Sequence, residues 1–260
     1  MDERDGRPAV AAQRHRAVAP PPPATLADVT ASATPAVRGR FITIEGPEGG
    51  GKTTQARRLE ALLRDLGVAV VRTREPGGTP LGERLRDLLL AGDTEPATND
   101  ALAEALLFNA ARRQLVETVI RPALDAGTTV ICTRFADSTL AYQGYGAGVP
   151  LADLRVLERA ATGGLRPDLT LVLDLPAEAG LERKPAADQT RFELGFNLDF
   201  HRRVRDGFLA LAAAEPDRFA VIDASATLDE VWEQVRLVVR ERLALPRSGE
   251  PDGLAARIPG

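Results

Sequence analysis

The segment Gly46–Thr53 constrains this chain more than any other, because its residues, G-P-E-G-G-G-K-T, fit the pattern G-x-x-x-x-G-K-[ST]. An apolar run, Phe41–Glu45, precedes it, and a helical pattern follows it. Glycines let backbone N–H groups converge on phosphate oxygens, and a helix that begins there points its positive end at the same anion. Lys52 can reach the β- and γ-phosphates, and the Thr53 hydroxyl can ligate Mg²⁺. The segment therefore predicts a P-loop that binds a nucleoside triphosphate with Mg²⁺.

Short apolar runs alternate with helical patterns along most of the chain. The candidate strands are Phe41–Glu45, Ala69–Arg72, Thr129–Thr133, Leu169–Asp174 and Phe219–Asp223. Helical patterns fall near residues 53–66, 80–90, 98–125, 151–161, 197–214 and 227–243, and Asn99 or Thr98 can cap the third. Continuous apolar runs are typical of strands buried on both faces, and their alternation with helices requires crossover connections. We expect an α/β fold, in which helices flank both faces of a five-stranded parallel sheet.

The two ends of the chain differ in composition from the middle. Residues 1–38 are rich in Ala, Pro and Arg and include APPPPAT, and the chain closes with LPRSGEPDGLAARIPG. Pro-rich, weakly apolar sequence buries too little surface to order itself, and the first segment lacks the apolar stretch of a secretory signal. We predict disordered tails at residues 1–38 and 246–260, with one domain over residues 39–245.

Charge and cysteine content narrow the classes of function. The formal net charge is -4, which disfavours a nucleic-acid partner because a phosphate backbone selects basic domains. No apolar stretch approaches the ~20 residues of a membrane span. One cysteine, Cys132, and two distant histidines argue against a disulfide and against a Cys- or His-built metal site. We expect a cytoplasmic protein that binds neither nucleic acid nor membrane, with Cys132 in a packing role.

A carboxylate and several arginines indicate a second, anionic substrate. Glu48 lies inside the P-loop, where it can accept a hydrogen bond from a substrate hydroxyl or remain a solvated loop tip. Arg74, Arg86 and Arg134 lie at or near the ends of elements, and open α/β sheets bind ligands beyond the carboxyl ends of their strands. Arginine binds phosphate bidentately, although each of the three also suits a surface salt bridge.

Two helical segments carry candidates for contact with a nucleobase. Phe108 and Arg112 are four residues apart and share a helical face, where a ring can stack on a base and a guanidinium can hydrogen-bond to it. Phe108 taken alone also suits a hydrophobic core. The segment ADSTLAYQGYG places a dense set of donors and acceptors within two turns, although ordinary capping followed by a turn also explains it. Its polar members are Ser138, Thr139, Tyr142 and Gln143.

Taken in order, these motifs resemble those of bacterial thymidylate kinases, which are P-loop nucleoside monophosphate kinases with a lid. The similar segments are EGPEGGGKTTQ, TREPGGTPLGERLR, LLFNAARRQLVETVIRPAL, TRFADSTLAYQGYGAG, LRPDLTLVLDLP, and RFE followed by FHRRVRDGF. The resemblance covers about residues 40–243, and REPGGT and STLAYQG are far more specific than the P-loop. It implies an enzyme that converts ATP and dTMP to ADP and dTDP with Mg²⁺, in dTTP biosynthesis, and that is a homodimer packed through helices.

The resemblance also implies how the nucleoside is held. The residue matching Phe108 stacks on thymine, and the arginine matching Arg112 contacts the base. Thr139 and Gln143 match residues that help to read the base. Tyr142 matches a tyrosine that lies against the sugar, where a 2′-hydroxyl would crowd it.

The same resemblance implies contacts with the 3′-hydroxyl, the monophosphate and ATP. Glu48 matches the carboxylate that holds the 3′-hydroxyl, and the three arginines lie around the monophosphate. The full set expected to bind dTMP is Glu48, Arg74, Glu75, Arg86, Phe108, Arg112, Arg134, Ser138, Thr139, Tyr142 and Gln143. The set expected to bind ATP is Gly46, Pro47, Glu48, Gly49, Gly50, Gly51, Lys52, Thr53 and Thr54, with Thr53 on Mg²⁺.

Catalysis in this reading is positioning and charge stabilisation, because the acceptor is already a phosphate with a second pKa near ~6. Lys52, Mg²⁺ and Arg134 would hold the two repelling anions in line. A short lid over about residues 181–193, LERKPAADQTRFE, would exclude water and add a cation. Its candidate cations are Arg183, Lys184 and Arg191, each of which also suits a solvated charge. The expected catalytic residues are Lys52, Arg134, Arg183 and Arg191.

Two positions depart from the family's pattern. The Asp-Arg-aromatic motif begins with Thr133 here, and the aspartate usual before the lid's Arg-aromatic-Glu is Thr190. The missing Asp at 133 is associated with the magnesium shell and with orienting the neighbouring arginine. Asp174 and Glu45, at the ends of neighbouring strands, are carboxylates that can substitute for it.

These departures leave alternatives open. One is a catalytically weak or inactive nucleotide-binding homologue with a regulatory role. Another is a kinase for a different deoxynucleotide, which Phe108, Tyr142 and Gln143 disfavour. A GTPase switch is disfavoured because the chain has no N/T-K-x-D base-reading motif.

Overall fold

Five parallel strands form one sheet with the order β2-β3-β1-β4-β5. The computed structural model describes residues 38–90, 100–184 and 189–243, except for the side chains of residues 191 and 193. The strands are β1 (Phe41–Glu45), β2 (Val70–Arg74), β3 (Thr129–Thr133), β4 (Leu169–Asp174) and β5 (Phe219–Asp223). The central strand β1 pairs with β3 and β4, so that Ile44 lies opposite Thr133 on one side and Leu171 on the other. The predicted five-stranded parallel sheet is confirmed.

The sequence prediction is wrong at the edge of the sheet. β2 spans Val70–Arg74 rather than residues 69–72, so that Arg74 is its last residue instead of following it. β2 is half-buried or exposed along its length, and β5 has both buried and exposed positions. Both are edge strands, and an edge strand packs fewer neighbours than the central strands, so it is not buried on both faces as predicted.

Helices cover both faces of the sheet, as expected. They are α1 (Lys52–Asp65), α2 (Pro80–Leu90), α3 (Ala101–Leu115), α4 (Arg121–Asp125), α5 (Ala136–Thr139), α6 (Leu151–Thr162), α7 (Ala177–Arg183), α8 (Arg191–Gly195), α9 (Leu198–Ala214) and α10 (Leu228–Arg242). π-Helical segments at Val116–Ile120 and Leu140–Gly146 follow α3 and α5. The sequence prediction omitted α7 and α8, which are too short to show a clear apolar period.

The third predicted helix begins later than expected. Asp100 caps α3, since its side chain accepts a hydrogen bond from Ala103 N at 2.8 Å. The predicted caps, Thr98 and Asn99, lie outside the described residues. The predicted single helix also changes to π-helical geometry before Pro122, which has no N–H to donate.

Alternate side chains of the central strands build the two sides of the core. Ile42 and Ile44 of β1 pack with Leu59 of α1 and with Val235 of α10. Phe41 faces the other side and packs with residues of α3, of β3 and of the segment after α3. Burial on both faces fixes the register of β1. Because β1 is the central strand, its carboxyl end and the P-loop that follows lie midway across the sheet.

The predicted tails lie outside the described residues apart from Arg38 and can only stay predictions. Within the part of the chain that the structure describes, every helix is too short or too polar to cross a bilayer.

Candidate active site

The P-loop follows β1 and takes its shape from three glycines in the left-handed region. Gly46, Gly49 and Gly51 have φ values of 125°, 70° and 79°, which residues with a Cβ rarely adopt. Gly46 also lies against β4, where an added Cβ would come within 2.4 Å of Leu173 O. Gly51 is the residue before the first turn of α1. The loop thus turns backbone N–H groups and the N-terminus of α1 toward one concave surface, as a phosphate cradle requires.

Lys52 folds back over this loop in the free protein. Its Nζ donates hydrogen bonds to Gly46 O at 3.0 Å and to Pro47 O at 2.5 Å. Burial and the nearby Arg134 guanidinium lower the pKa of Lys52 to about 7, although Glu48 and Glu45 favour its charged form. An anion that enters the cradle would therefore stabilise the ammonium and raise the pKa of Lys52.

One cleft of about 860 Å³ brings together most of the residues that the sequence singled out. From the P-loop and α1, Glu48 through Thr54 line it, whereas Gly46 and Pro47 do not. The other predicted site residues that line it are Arg74, Glu75, Arg86, Phe108, Arg112, Arg134, Ser138, Thr139, Tyr142, Gln143, Arg183 and Lys184. The cleft opens at the carboxyl ends of β1, β2 and β3, where an open α/β sheet binds its ligands.

Arg134 and Glu48 form the centre of this cleft. Arg134 Nη2 donates to Glu48 Oε1 at 2.7 Å and to Tyr142 Oη at 2.9 Å, and Tyr142 Oη donates to Glu48 Oε1 at 2.5 Å. Burial opposes the charge on Glu48, but Arg134, Lys52 and Lys184 outweigh it and hold the pKa of that carboxyl well below its usual range. Burial likewise opposes the charge on Arg134, but Glu48 and Tyr142 raise its pKa.

A strained turn holds Arg134 at the end of β3. Arg134 has φ 64°, and the glycines aside it is the residue with a positive φ among the described residues. Its backbone N–H donates to Ile44 O at 3.0 Å, and the next backbone N–H, that of Phe135, donates to Glu45 Oε1 at 2.7 Å. Ser138 Oγ donates to Glu45 Oε2 at 2.6 Å and accepts from Arg134 Nη1 at 3.2 Å.

Three arginines surround one end of the cleft. Arg74 donates to both carboxylate oxygens of Glu83, and Arg86 Nη1 donates to Pro76 O at 2.9 Å. Burial and the charges of Arg74 and Arg134 lower the pKa of Arg86. A guanidinium whose pKa is lowered by burial and by neighbouring cations is stabilised by an anion that binds between them.

The same cleft also carries Phe108 and a buried arginine. Phe108 is half-buried, and its ring centroid lies 6.3 Å from that of Phe192. Arg112 is 1% exposed, and it donates to Glu75 Oε2 at 2.8 Å and to Thr139 Oγ1 at 3.0 Å. Burial raises the pKa of Glu75 to about 7, against the opposing effect of Arg112. In the pair predicted to read a base, the half-buried Phe108 ring thus lies in the same cleft as a buried guanidinium.

Four hydrogen bonds tie Arg112 to the wall of this pocket. Besides Glu75 and Thr139 it donates to Asn109 Oδ1 and to Phe135 O. Gln143 is 2% exposed and lies 3.4 Å from a carboxylate oxygen of Glu104. Sequence reasoning missed Asn109 and Glu104, because nothing in their spacing separates them from other polar residues on a helix.

The sequence also missed Phe192 and Asp137, which support the same wall. Phe192 lines the cleft, and its ring lies edge-on to Tyr142 with centroids 5.6 Å apart. Asp137 is buried and accepts two hydrogen bonds from Arg218, at 2.7 and 2.9 Å, which anchors α5 to the loop before β5. The Arg-aromatic-Glu motif contains Phe192, so this residue had a usable signal, whereas the Asp137–Arg218 pair joins residues distant in sequence.

The segment predicted as a lid begins on α7, which packs directly on the P-loop. An added Cβ on Gly180 would lie 2.3 Å from Glu48 O, and one on Gly49 would lie 2.1 Å from Gly180 O. At the end of this helix Lys184 Nζ lies 3.8 Å from Glu48 Oε2. Arg183 instead donates to Ala224 O and Ser225 O, which follow β5. In the strand order, β5 and the strand that ends before Arg134, β3, lie on opposite sides of β1.

The remainder of the predicted lid is only partly described. Residues 185–188 and the side chain of Arg191 lie outside the described residues, and Arg191 begins α8. The role predicted for Arg191 stays a prediction, as does that of Arg183.

The carboxylates proposed to replace the missing aspartate are both engaged elsewhere. Asp174 accepts two hydrogen bonds from Arg205, at 2.8 and 2.9 Å, and Glu45 is fully buried between Phe135 N and Ser138. Thr133 itself lines the cleft. No group of three or more metal-binding side chains occurs among the residues described here. Thr53, exposed at the start of α1, offers an oxygen ligand, and Mg²⁺ commonly takes the rest of its shell from phosphates and water.

Comparison with known proteins gives one consistent family. The family model described as "Thymidylate kinase" matches residues 44–235. A thymidylate kinase of Deinococcus radiodurans is 53% identical over 206 residues, which cover 79% of this chain and 98% of that protein. One from Synechococcus is 54% identical over 209 residues, covering 80% of this chain and 98% of that protein. The crystal structure of a thymidylate kinase from Ehrlichia chaffeensis superposes with a TM-score of 0.61 at 36% identity and covers 77% of this chain and 99% of that one.

Proposed function

The chain belongs to the thymidylate kinase family, and we propose that it is an active enzyme that transfers the γ-phosphoryl group of ATP to dTMP in the presence of Mg²⁺. The products are ADP and dTDP, which serves the synthesis of dTTP. The observation that carries the proposal is the single cleft that holds both a phosphate cradle and a separate group of three arginines. A P-loop alone suits any nucleoside triphosphatase, whereas a second anion site beside it suits a kinase whose acceptor is itself a phosphate.

The two anion sites support a positioning mechanism. ATP would lie with its phosphates in the P-loop, where Lys52 leaves the carbonyl oxygens of Gly46 and Pro47 and turns to the β- and γ-phosphates. The monophosphate of dTMP would lie among Arg74, Arg86 and Arg134. A dianionic phosphate needs no general base, so these cations chiefly offset the repulsion between donor and acceptor and hold them in line.

Arg134 is suited to act on both anions. Its guanidinium lies between the P-loop carboxylate of Glu48 and the Ser138 hydroxyl. From there it could contact the γ-phosphate of ATP and the phosphate of dTMP together. Its guanidinium stays charged because its pKa is raised, and charge spreads over the transferring phosphoryl oxygens in the transition state. The candidate lid cations, Arg183, Lys184 and Arg191, would add further positive charge on closure.

Magnesium fits this arrangement through the Thr53 hydroxyl. When bound with ATP, the ion would neutralise charge on the β- and γ-phosphate oxygens. Neither Asp174 nor Glu45 is free to join that shell without losing its present hydrogen bonds.

Further residues of the cleft support recognition of a deoxynucleoside. Phe108 offers a half-exposed ring for stacking on thymine, and Arg112, Thr139 and Gln143 form the polar wall beside it. Tyr142 is packed among aromatic rings and hydrogen-bonded to Glu48, so it has little freedom to yield to a 2′-hydroxyl. Glu48 would exchange one of its present donors for the 3′-hydroxyl of the sugar.

We also propose a homodimer that forms through α2, α3 and α6. α3 packs between the other two helices, and their outer surfaces carry exposed apolar side chains. These are Leu88, Leu102, Leu106 and Val156, whose exposures are 58%, 40%, 50% and 55%. An apolar face of this kind favours burial against a second copy of the same surface.

Release of ADP by the purified protein with ATP and Mg²⁺ tests the proposed function, with dTMP compared against dUMP, dCMP, dGMP and AMP. We expect a rate that is selective for dTMP. Turnover at background while dTMP still binds would overturn the proposal and favour the alternative of a catalytically weak or inactive binding homologue, because Thr133 would then be an uncompensated loss.

A further inference from the structure

Glu45 is a buried carboxylate at the end of β1, and its side-chain oxygens accept hydrogen bonds from the turn that holds Arg134. It is 0% exposed. Its Oε1 accepts the backbone N–H of Phe135 at 2.7 Å, and its Oε2 accepts the Ser138 hydroxyl at 2.6 Å. A buried carboxylate is retained only where such partners offset its desolvation, so these two contacts account for its position.

The Phe135 contact fixes the backbone of Arg134. The φ of 64° at Arg134 is unfavourable for any residue with a Cβ, and it persists only where neighbouring bonds hold it. The N–H groups on both sides of that torsion are held by consecutive residues of β1: Arg134 N by Ile44 O at 3.0 Å and Phe135 N by Glu45 Oε1. Glu45 thus sets the direction in which the Arg134 side chain leaves the strand.

The Ser138 contact fixes the guanidinium itself. A hydroxyl has one proton to donate, and Ser138 gives it to Glu45 Oε2, which leaves its oxygen lone pairs facing Arg134 Nη1 at 3.2 Å. The three groups form a directed chain from Arg134 through Ser138 to Glu45, in which the carboxylate strengthens the acceptor that the guanidinium sees.

On these grounds we propose that Glu45 is a positioning residue for phosphoryl transfer, which holds Arg134 in its working orientation in a chain that has Thr133 instead of the family's aspartate. The inference rests on the proposed kinase function and assigns Glu45 no contact with a substrate or a metal. Thr133 contributes no negative charge beside Arg134, whereas Glu45 supplies one from the adjacent strand.

The groups around Glu45 act on its pKa in both directions. Burial and Asp137 raise its pKa to about 7, whereas Ser138, Arg134 and the Phe135 N–H act against that rise. The negative charge of Glu45 also acts to raise the pKa of Lys52. Entry of two phosphates would compete with Glu45 for Arg134, and the hydrogen bonds from Phe135 N and Ser138 Oγ to Glu45 would then keep the orientation together with its charge.

The test is Glu45→Gln, which keeps the shape and one acceptor but removes the charge and the second acceptor. We expect kcat with dTMP to fall by about 10-fold or more, as for a lost transition-state contact, while KM for ATP and the Mg²⁺ concentration for half-activity change less than ~2-fold. A raised Mg²⁺ requirement would overturn the proposal by making Glu45 part of the metal site. Unchanged kcat would overturn it as well.

A double-mutant cycle separates positioning from general damage to the fold. Because Glu45 acts through Arg134, Glu45→Gln should change neither the residual rate nor the dTMP affinity of an Arg134→Ala protein. The same fold-loss in both backgrounds would contradict the proposal. Ser138→Ala, which removes only the bridging hydroxyl, should reproduce part of the loss and should likewise have no effect without Arg134.

Two references complete the experiment. Glu158→Gln changes another largely buried carboxylate with a raised pKa, on α6 and facing Arg155, and should leave the kinetics unchanged. The unaltered protein reports on the proposed function itself. If it binds dTMP but transfers no phosphoryl group, the proposed function fails, and non-additivity in dTMP affinity still decides whether Glu45 acts through Arg134.

Discussion

Arg134 Nη2 lies 2.7 Å from Glu48 Oε1, so the two side chains proposed to hold opposite parts of dTMP are paired with each other in the free protein. Their exposures are 18% and 14%, which leaves the pair poorly screened by solvent. Substrate binding must therefore redistribute these contacts: the monophosphate competes for the guanidinium, and the 3′-hydroxyl replaces one of the donors to the carboxylate. The pair keeps both groups correctly placed and desolvated before the substrate arrives.

Arg134→Ala is expected to remove most of the transfer activity. The change deletes a charged donor next to the reacting phosphates, for which a fall in kcat of about 10²-fold or more is typical. It also leaves Glu48 with fewer cations, so weaker dTMP binding should accompany the loss. Steady-state kinetics with varied dTMP measure both effects. The matched control is Arg236→Ala, which changes a half-buried arginine paired with Glu233 on α10. Turnover near that of the unaltered protein would remove Arg134 from the mechanism.

ATP binding is expected to take up a proton above neutral pH. The pKa of Lys52 is lowered to about 7 in the free protein, and a bound triphosphate favours the ammonium and raises that pKa. Above pH 7 the free protein has lost the proton that the complex requires, so affinity should fall as pH rises, whereas below pH 7 no uptake is needed. Titration calorimetry at about pH 8 in buffers of different ionisation enthalpy should show uptake of up to ~1 proton.

Lys52→Arg is the control for that experiment, because a guanidinium stays charged across this range. It should bind ATP without proton uptake. Equal binding heats in all buffers for the unaltered protein would show that protonation of Lys52 is not linked to ATP binding.

Gly180→Ala is expected to impair ATP binding more than dTMP binding. The added Cβ would lie 2.3 Å from Glu48 O, so either α7 or the P-loop must shift. A displaced cradle misplaces the backbone N–H groups that hold the phosphates, and KM for ATP should rise by about 10-fold. Glu182→Ala, at an exposed position on the same helix, is the control. An unaltered KM for ATP in the Gly180→Ala protein would show that ATP binding does not depend on the close approach of α7 to the P-loop.

Leu106→Asp is expected to convert the proposed homodimer to a monomer. Leu106 lies on the exposed face of α3 and is 50% exposed in the single chain, and a carboxylate there would have to be desolvated at the interface. Light scattering across a range of protein concentrations measures the mass. Leu237→Asp on α10, where the leucine is 60% exposed, should leave the mass unchanged. A dimer that survives Leu106→Asp would place the interface elsewhere.

The sequence was sufficient for the sheet and the P-loop because each is encoded locally. Four of five strands were predicted with the bounds that the structure has. Three of them are central strands, which are continuous apolar runs, and the fourth is the edge strand β5. The bounds of β2 were wrong because Thr73 and Arg74 extend an edge strand whose polar residues face solvent. The short helices α7 and α8 were missed because one or two turns carry no measurable period.

The candidate site was less accessible to sequence reasoning where it depends on long-range pairs. Residue patterns singled out most residues of the cleft, the family resemblance gave them roles, and they do line one cavity. Their partners did not: the links between Glu45 and Ser138, between Asp137 and Arg218, and between Gly49 and Gly180 join elements far apart in the chain. Such pairs are set by tertiary packing, which no local pattern records.

The most direct test of the central claim is detection of dTDP after the purified protein is mixed with ATP, Mg²⁺ and dTMP. We predict that dTDP and ADP form in equal amounts and that neither forms when Mg²⁺ is removed. ADP should form faster with dTMP than with dUMP. Binding of dTMP without any dTDP would contradict the claim that this cleft transfers a phosphoryl group.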